Sequence, residues 1–284
     1  MINGHTEVCG VIGYPVKHTF SPFMHNSAFK ECGINAVYLA FEVAPENLKD
    51  AVLGLRALGI KGFNVTIPHK ENIIRHLDEL SDEAKFLGAV NTVAVRGSKL
   101  VGFNTDGLGF IDSLKSDLKM NPKGKSVFIF GAGGAARAIS FSLAKEKAKR
   151  IVLTDIDSEK AAVLADSISK KTGCAAFAIR FDKNAIKELI LNSQLVINAS
   201  PCGMNIKDPL LINPEWLHRN LAVYDIVYSR FETKLLKTAL ARGVPSSGGI
   251  NMLLRQGARA FKLWTNHKPP IDVMKKALAR ALKK

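Results

Sequence analysis

The chain contains little that is typical of a membrane, secreted or metal-binding protein. Its longest apolar runs are far shorter than the roughly 20 residues that a membrane span needs, and its N-terminus has no secretory signal. It has only four cysteines, without a CxxC pair or Cys/His metal spacing: Cys9, Cys32, Cys174 and Cys202. We therefore expect buried thiols in a reducing, cytoplasmic compartment, no membrane association and no metal site.

Aromatic residues are also scarce, at 7% of the chain, whereas the formal net charge is +15. A charge of that size can indicate a nucleic-acid surface. Here, however, aspartates and glutamates lie between the lysines, and no arginine–aromatic interleaving is present. We interpret the excess as a solvated basic surface that attracts anionic ligands, and we expect no nucleic-acid partner.

Strand-like and helix-like segments alternate along the 284 residues, which predicts an α/β fold with mainly parallel sheets. In the first third we predict strands near 7–12, 37–42, 62–66, 90–95 and 100–103, and helices near 22–32, 45–58, 69–77 and 81–87. After a helix near 107–118 and a linker at 121–124, we predict strands near 174–179, 194–198 and 221–227 and helices near 184–192, 233–242, 251–265 and 272–282. Residues 245–250 have a flexible composition.

The segment 126–155 has the order strand, glycine turn, helix, strand, acid. An apolar run at 127–130 precedes the glycine turn 131–136, and a second apolar run, Ile151–Leu153, leads to Asp155. This order is typical of a dinucleotide-binding unit, in which the glycines let the backbone approach a pyrophosphate at a helix N-terminus. The acid, 24 residues after Gly131, can accept hydrogen bonds from the adenosine ribose.

The acids at the end of this unit favour NAD over NADP. Asp155 and Asp157 would meet an adenosine 2′-phosphate with like charge, and no arginine lies between them. The alternative is that these acids cap the helix that follows. Lys160 could also reach a phosphate, so NADP remains possible.

Four polar clusters in the first third lie at predicted strand or helix ends, where α/β proteins bind ligands. Thr19 and Ser21 form a possible carboxylate cradle at a helix start, unless Ser21 simply caps that helix. Lys70 follows a strand that ends at Thr66, in the predicted first turn of a helix. Because a cation is disfavoured there, its position suggests proton transfer, with a solvated surface lysine as the alternative. The other two clusters are 88–92 and 102–107, each explicable alone as turn chemistry.

The chain resembles the shikimate dehydrogenase family, most closely its NAD-linked quinate/shikimate dehydrogenase branch. The resemblance covers nearly the whole length and depends on eight motifs in order: GYPVKHTFSPFMHN, NVTIPHKE, GAVNT, GFNTDG, GAGGAARA, NASPCGM, YDIVYSRFETKLL and GGINMLLRQGARAF. It implies a substrate-binding domain at 1–106 and 250–284 and an NAD(P)-binding Rossmann domain, doubly wound, at 107–249. The C-terminal helices would return to the substrate domain.

The resemblance also implies roles for individual residues. Lys70 and Asp106 would be the catalytic pair, Thr19 and Ser21 would bind the substrate carboxylate, and Met204 and Gly249 would lie near the nicotinamide. The remaining substrate-binding positions would be Thr66, Asn91, Tyr228 and Gln256. The remaining cofactor-binding positions would be Gly131, Ala132, Gly133, Gly134, Ala135 and Asp155.

The implied reaction is reversible NAD(P)-dependent oxidation of shikimate to 3-dehydroshikimate, and of quinate to 3-dehydroquinate, without a metal. It would belong to the shikimate pathway of aromatic amino acid biosynthesis or to quinate metabolism, in a monomer or homodimer. The alternatives are an NADP-specific biosynthetic shikimate dehydrogenase and a dinucleotide-binding regulator without turnover.

Three departures from the family pattern bear on specificity. Thr19 replaces the serine usual in shikimate-specific members, and its extra methyl group puts strict shikimate specificity in doubt. The acids at 155–157 replace the basic cluster of NADP-specific members. Ser229 and Arg230 stand where Asn-Pro is usual, with no consequence that we can derive.

Overall fold

The computed structural model describes residues 2–228 and 232–283, and the chain divides into two compact units. The first unit comprises Met1–Asp106 and Leu253–Lys284, and the second comprises Gly107–Met252. The points at which the chain changes unit fall in two helices, α4 (Asp106–Asp117) and α9 (Gly249–Thr265). Ser229 and Arg230 lie outside the described residues.

The first unit contains a six-stranded mixed sheet in the order β2-β1-β3-β5-β6-β4. Its strands are β1 (Glu7–Gly13), β2 (Ala36–Glu42), β3 (Gly62–Val65), β4 (Glu79–Leu80), β5 (Thr92–Arg96) and β6 (Lys99–Phe103). Its helices are α1 (Ser21–Glu31), α2 (Leu48–Ala57), α3 (Asp82–Leu87) and α10 (Ile271–Leu282), together with 3₁₀ helices at Pro45–Asn47 and Asn72–His76. Strand β1 pairs in parallel with β2 and β3, whereas β5 is antiparallel to β3 and β6. Its core contains Ile12, Phe63 and Val93.

The second unit contains a six-stranded sheet in the order β12-β11-β10-β7-β8-β9, and every pairing described is parallel. Its strands are β7 (Ser126–Phe130), β8 (Arg150–Thr154), β9 (Ala175–Ala178), β10 (Leu195–Asn198), β11 (Ala222–Asp225) and β12 (Ser246–Gly248). Its other helices are α5 (Gly134–Lys145), α6 (Ser158–Thr172), α7 (Lys183–Leu191) and α8 (Lys234–Ala241), with a 3₁₀ helix at Pro214–Trp216. Numbered within the unit, the order is 3-2-1-4-5-6, the Rossmann arrangement. The predicted α/β class and Rossmann-type sheet are confirmed.

The helix predicted at 69–77 is wrong: only a five-residue 3₁₀ helix forms, and Lys70 lies in the turn before it. The Lys70 carbonyl accepts a hydrogen bond from the Val90 N–H at 2.7 Å. An α-helix would need that carbonyl for the Ile74 N–H, which instead bonds the Glu71 carbonyl. Pairing with a distant segment therefore overrides the local helical pattern.

Two strands were not predicted. Residues 246–248, expected to be flexible, form β12 because their backbone pairs with β11 at Val223–Asp225. The two-residue strand β4 pairs with β6. Within the part of the chain that the structure describes, no helix combines the length and apolarity that crossing a membrane requires.

Candidate active site

One edge of the first unit's sheet gathers most of the polar residues singled out from the sequence. The parallel strands β1 and β3 both end there, and β6 ends beside the start of the antiparallel β5. The loops that follow or precede these strands carry Thr19, Thr66, Lys70 and Asn91, and Asp106 begins the helix that follows β6. Sheet register, rather than closeness in sequence, therefore brings these segments to a common edge.

Lys70 and Asp106 form a shielded ion pair at this edge. Lys70 Nζ donates to Asp106 Oδ2 at 2.6 Å, and the side chains are 15% and 7% exposed. Charge-assisted hydrogen bonds of this kind are stronger than neutral ones, especially where solvent screening is small. An ammonium held beside a carboxylate can exchange a proton with a nearby hydroxyl group.

Asn91 holds the second oxygen of the carboxylate. Its Nδ2 donates to Asp106 Oδ1 at 2.7 Å and also lies 3.0 Å from Thr105 Oγ1 and 3.3 Å from Gln256 Oε1. All four of these side chains are buried. Sequence reasoning assigned Asn91, Asp106 and Gln256 to the substrate site but missed Thr105, although it belongs to the 102–107 cluster.

Local geometry fixes the Asp106 carboxylate in two further ways. Asn104 Oδ1 accepts from the Asp106 N–H at 3.1 Å, and Asn104 Nδ2 donates to the Ala89 carbonyl at 3.0 Å. Asp106 is also the first residue of α4, where the unpaired N–H groups of a helix favour a negative charge. The 102–107 cluster thus forms the turn that sets the carboxylate in place.

Thr19 and Ser21 lie together at the start of α1. Thr19 Oγ1 donates to Ser21 Oγ at 3.2 Å and accepts from the Ser21 N–H at 3.3 Å. The alternative interpretation of Ser21 as a helix cap is wrong: the N-cap residue is Phe20, and no side chain caps α1. The Ser21 hydroxyl is therefore not used for capping.

Other predicted substrate residues occupy separate places. Thr66 directly follows β3, and its backbone N–H bonds the Ile12 carbonyl. Gln256 lies on α9, where its Nε2 donates to the Leu253 carbonyl at 3.0 Å. Tyr228 belongs to the second unit and is half-buried.

The glycine turn of the second unit has the geometry that a pyrophosphate requires. Gly131 has φ +104°, and a Cβ there would lie 2.7 Å from the Ala199 carbonyl carbon, so only glycine fits. Gly133 is the N-cap of α5, no side chain caps that helix, and a Cβ on Gly133 would meet nothing within 4 Å. The open helix N-terminus offers N–H groups and a partial positive charge to a phosphate. These residues fit a bound dinucleotide.

Asp155 joins the glycine turn to the end of β8. Its Oδ2 accepts from the Ala132 N–H at 2.7 Å, and its Oδ1 accepts from the Asp157 N–H at 3.0 Å. Asp157 caps α6 by accepting from the Lys160 N–H at 3.0 Å. The capping alternative therefore holds for Asp157 but not for Asp155, which precedes the cap.

The remaining predicted cofactor residues all lie in the second unit. Gly134 and Ala135 form the first turn of α5, and Met204 is 41% exposed in the loop after β10. Gly249 begins α9, and a Cβ there would lie 2.0 Å from the Ile226 carbonyl oxygen.

Sequence reasoning assigned no role to Asn198 and Asp225, which end adjacent strands in this unit and share a hydrogen bond of 2.9 Å. Asn198 lies in the family motif NASPCGM and Asp225 in the family motif YDIVYSRFETKLL, so these motifs could have drawn attention to both residues. Across residues 2–228 and 232–283, no group of three or more His, Cys, Asp or Glu side chains is arranged to hold a metal ion.

Two family models match this chain. The shikimate dehydrogenase substrate binding domain matches residues 11–93, and the shikimate 5'-dehydrogenase C-terminal domain matches residues 249–279. A relative from Methanopyrus kandleri, named shikimate dehydrogenase (NADP(+)), is 45% identical to this chain. The match covers 99% of this chain and 98% of the relative's sequence.

Solved structures give the same result. Shikimate 5-dehydrogenase from Listeria monocytogenes, in complex with shikimate and NAD, has a TM-score of 0.89 and 39% identity, covering 97% of each chain. Quinate dehydrogenase from Corynebacterium glutamicum, in complex with NAD, has a TM-score of 0.88 and 31% identity, covering 97% of this chain and 99% of that one. The chain therefore belongs to the shikimate dehydrogenase family and is an NAD(P)-dependent oxidoreductase that acts on a CH–OH group.

Proposed function

We propose that the protein catalyses the reversible oxidation of shikimate to 3-dehydroshikimate. The observation that supports this most strongly is the shielded Lys70–Asp106 ion pair, with Asn91 on the other carboxylate oxygen. This edge of the first unit's sheet offers amide, hydroxyl, ammonium and carboxylate groups within one unit. A ring that carries several hydroxyls and one carboxylate can form hydrogen bonds with such a set of groups. The first unit would be the substrate-binding domain.

In this mechanism Lys70 Nζ exchanges the proton of the C3 hydroxyl. Asp106 orients the ammonium and accepts a hydrogen bond from a neighbouring hydroxyl. Thr19 and Ser21 bind the substrate carboxylate, and Thr66, Asn91 and Gln256 hold ring hydroxyls. Together these groups orient a single substrate hydroxyl for reaction, which lowers the activation barrier.

The second unit would bind the dinucleotide. The N–H groups at Gly133, Gly134 and Ala135 would contact the pyrophosphate, whereas the Ala132 N–H would keep its bond to Asp155 within the same turn. Met204 and Gly249 would lie near the nicotinamide. The nicotinamide, when bound, supplies or accepts the hydride.

We infer that NAD is preferred over NADP. The carboxylates of Asp155 and Asp157 lie at the end of β8, where a 2′-phosphate would meet two negative charges. The alternative, an NADP-specific biosynthetic enzyme, is favoured by the name of the M. kandleri relative and by the nearby Lys160.

Quinate is the second proposed substrate. It differs from shikimate at C1, which carries both the carboxylate and a hydroxyl group, and Thr19 would lie on that side of the ring. The threonine methyl group changes the space around C1 relative to serine. A methyl-sized difference in a pocket shifts specificity by roughly 10-fold or more.

A two-by-two steady-state assay tests these proposals, with shikimate or quinate as substrate and NAD or NADP as cofactor. We expect NADH formation with both substrates and a kcat/KM for NAD well above that for NADP. Lactate, an acyclic hydroxy acid, is the control and should give no turnover. Equal use of the two cofactors would contradict the inference from the carboxylates, and no reaction with shikimate under any condition would contradict the proposed reaction.

A further inference from the structure

A chain of buried hydrogen bonds extends from β2 to the Asp106 carboxylate. The Tyr38 hydroxyl donates to Asn64 Oδ1 at 2.7 Å, and Asn64 Nδ2 donates to Thr92 Oγ1 at 3.0 Å. Thr92 Oγ1 donates to Asn91 Oδ1 at 3.0 Å, and Asn91 Nδ2 donates to Asp106 Oδ1 at 2.7 Å. The roles inferred from the family resemblance leave Tyr38, Asn64 and Thr92 unused.

Obligatory donors and acceptors fix the orientation of both amides. Asn91 Oδ1 faces the Thr105 backbone N–H at 2.8 Å, so its nitrogen must face the carboxylate. Asn64 Nδ2 faces the Asn91 carbonyl at 3.1 Å, so its oxygen must face Tyr38. Every hydroxyl and amide in this series of hydrogen bonds therefore donates toward Asp106.

This series of hydrogen bonds is deeply buried, so the direction in which each bond donates affects the next one. Tyr38 and Thr92 are 0% exposed, and Asn91 is 2% exposed. Tyr38 is also fixed by packing, because its ring stacks on His25 with the centroids 4.4 Å apart. Buried hydrogen bonds that point in one direction reinforce one another, and a broken link leaves an unsatisfied polar atom.

We propose that Tyr38 and Thr92 are positioning residues that hold the Asn91 amide against the Asp106 carboxylate and so keep that carboxylate aimed at Lys70. The proposal rests on the proposed function of Lys70 and Asp106. The amide links exclude a proton relay, since a carboxamide does not pass a proton on, so the effect is one of orientation and polarity.

The test compares Thr92→Val, Thr92→Ser and Tyr38→Phe with the parent enzyme. Valine has the shape of threonine without the hydroxyl, whereas serine keeps the hydroxyl. Tyr224→Phe is the matched control, because Tyr224 is a buried tyrosine of the second unit whose hydroxyl lies 2.6 Å from Ser113 Oγ. For each variant we would measure kcat and KM for shikimate across pH, together with the melting temperature.

We expect Thr92→Val and Tyr38→Phe to lower kcat by roughly 10-fold, the loss equivalent to one buried hydrogen bond. The pH dependence of kcat should change as well, because the Asn91 amide that donates to the Asp106 carboxylate is held less firmly in these variants. Thr92→Ser should stay within about 3-fold of the parent kcat, and Tyr224→Phe should keep the parent profile.

Unchanged kcat and pH profile in Tyr38→Phe would overturn the proposal, as would equal impairment of Thr92→Ser and Thr92→Val. If Thr92→Val does not fold, the comparison of kcat and its pH profile between Tyr38→Phe and Tyr224→Phe tests the proposal. A parent enzyme without shikimate turnover would count against the proposed function alone. In that case, hydrogen exchange of the Asn91 side-chain amide in the substrate-free protein tests the positioning: faster exchange in Tyr38→Phe supports it, and unchanged exchange overturns it.

Discussion

Lys70 Nζ and Asp106 Oδ2 lie 2.6 Å apart although their residues are 36 positions apart in the chain. Lys70 reaches this point from the turn after β3, and Asp106 reaches it as the first residue of α4. The Val90 N–H bonds the Lys70 carbonyl, and the Asn91 N–H bonds the Phe103 carbonyl, so the backbones of both segments are tied to one intervening segment. The pair is therefore set by backbone pairing as well as by its own attraction.

Replacing Lys70 by alanine should lower kcat by roughly 10²–10⁴-fold, the usual range for loss of a general acid–base group. KM should change much less, because hydroxyls and amides supplied by other residues bind the substrate in the proposed site. Steady-state kinetics with shikimate measures both quantities.

Lys61→Ala is the matched control for that variant. Lys61 is 42% exposed and pairs with Glu7 at 2.9 Å, and exposed pairs of this kind contribute little. It should keep the parent kcat. A Lys70→Ala enzyme with nearly normal kcat would remove Lys70 from the proposed proton transfer.

Replacing Asp155 by alanine should narrow the difference between NAD and NADP. Removing the carboxylate relieves its repulsion of a 2′-phosphate, and we expect the NADP/NAD ratio of kcat/KM to rise by roughly 10-fold or more. Asp155→Asn removes the negative charge but keeps a hydrogen bond to the glycine turn, because the amide oxygen can still accept from the Ala132 N–H. It therefore separates the effect of the charge on cofactor choice from the effect of that hydrogen bond.

Asp157→Ala tests the second carboxylate, which also caps a helix. It removes the cap of α6 and should lower the free energy of unfolding by about 1 kcal/mol, measured by urea titration. If neither Asp155 variant changes the cofactor ratio, the carboxylate does not discriminate between the two cofactors.

The Rossmann-type sheet could be predicted from the sequence because its signals are local. Apolar runs of strand length, the φ > 0 position at Gly131 and the acid at 155 are all visible within 30 residues. The same holds for the helix predicted near 81–87, which is α3 and is followed by the left-handed Gly88. Such features depend on backbone conformation rather than on distant partners.

The features that could not be predicted depend on distant partners. The 3₁₀ helix after Lys70 reflects the bond between Val90 and the Lys70 carbonyl, and β12 exists because β11 lies beside it. The polar chain from Tyr38 to Asp106 crosses from β2 past β1 to β3 and then to β5, so it depends on the order and register of the sheet. Motif clusters predicted Asn91 and Asp106 as site residues, but they could not show which of their atoms form hydrogen bonds with each other.

His25 should make the free energy of unfolding sensitive to acid. It is 0% exposed, and within the described chain neither ring nitrogen has a hydrogen-bond partner. Burial lowers the pKa of His25 from 6.5 to about 3. Below pH 6.5 the unfolded chain therefore binds a proton that the folded chain refuses, so the free energy of unfolding falls by about 1.4 kcal/mol per pH unit until about pH 3.

His25→Phe keeps a ring against Tyr38 and removes the titration. The difference in unfolding free energy between this variant and the parent should grow as the pH falls from 6.5 to 4.5, measured by urea titration at each pH. A difference that does not change with pH would show that His25 is protonated in the folded protein.

Asp225 should have the opposite effect. It is fully buried and accepts hydrogen bonds from Thr233 Oγ1 at 2.6 Å, Asn198 Nδ2 at 2.9 Å and the Val227 N–H at 3.1 Å. Burial nevertheless raises its pKa from 3.8 to about 6, because these donors only partly offset the cost of a buried charge. Between about pH 4 and pH 6 the folded chain holds a proton that the unfolded chain has released, so the free energy of unfolding falls as the pH rises, by about 1.4 kcal/mol per unit.

Asp225→Asn tests this directly, since the amide oxygen can accept from the Val227 N–H and from Asn198 while its nitrogen donates to the Thr233 hydroxyl. Asp208, Glu232 and Lys234 line the same cavity and are unchanged in the variant, so the difference between variant and parent isolates Asp225. That difference should favour the variant increasingly from pH 4 to pH 6 and then stay constant. If instead the difference stays nearly constant over that range, the three donors outweigh burial and the carboxylate is ionised throughout.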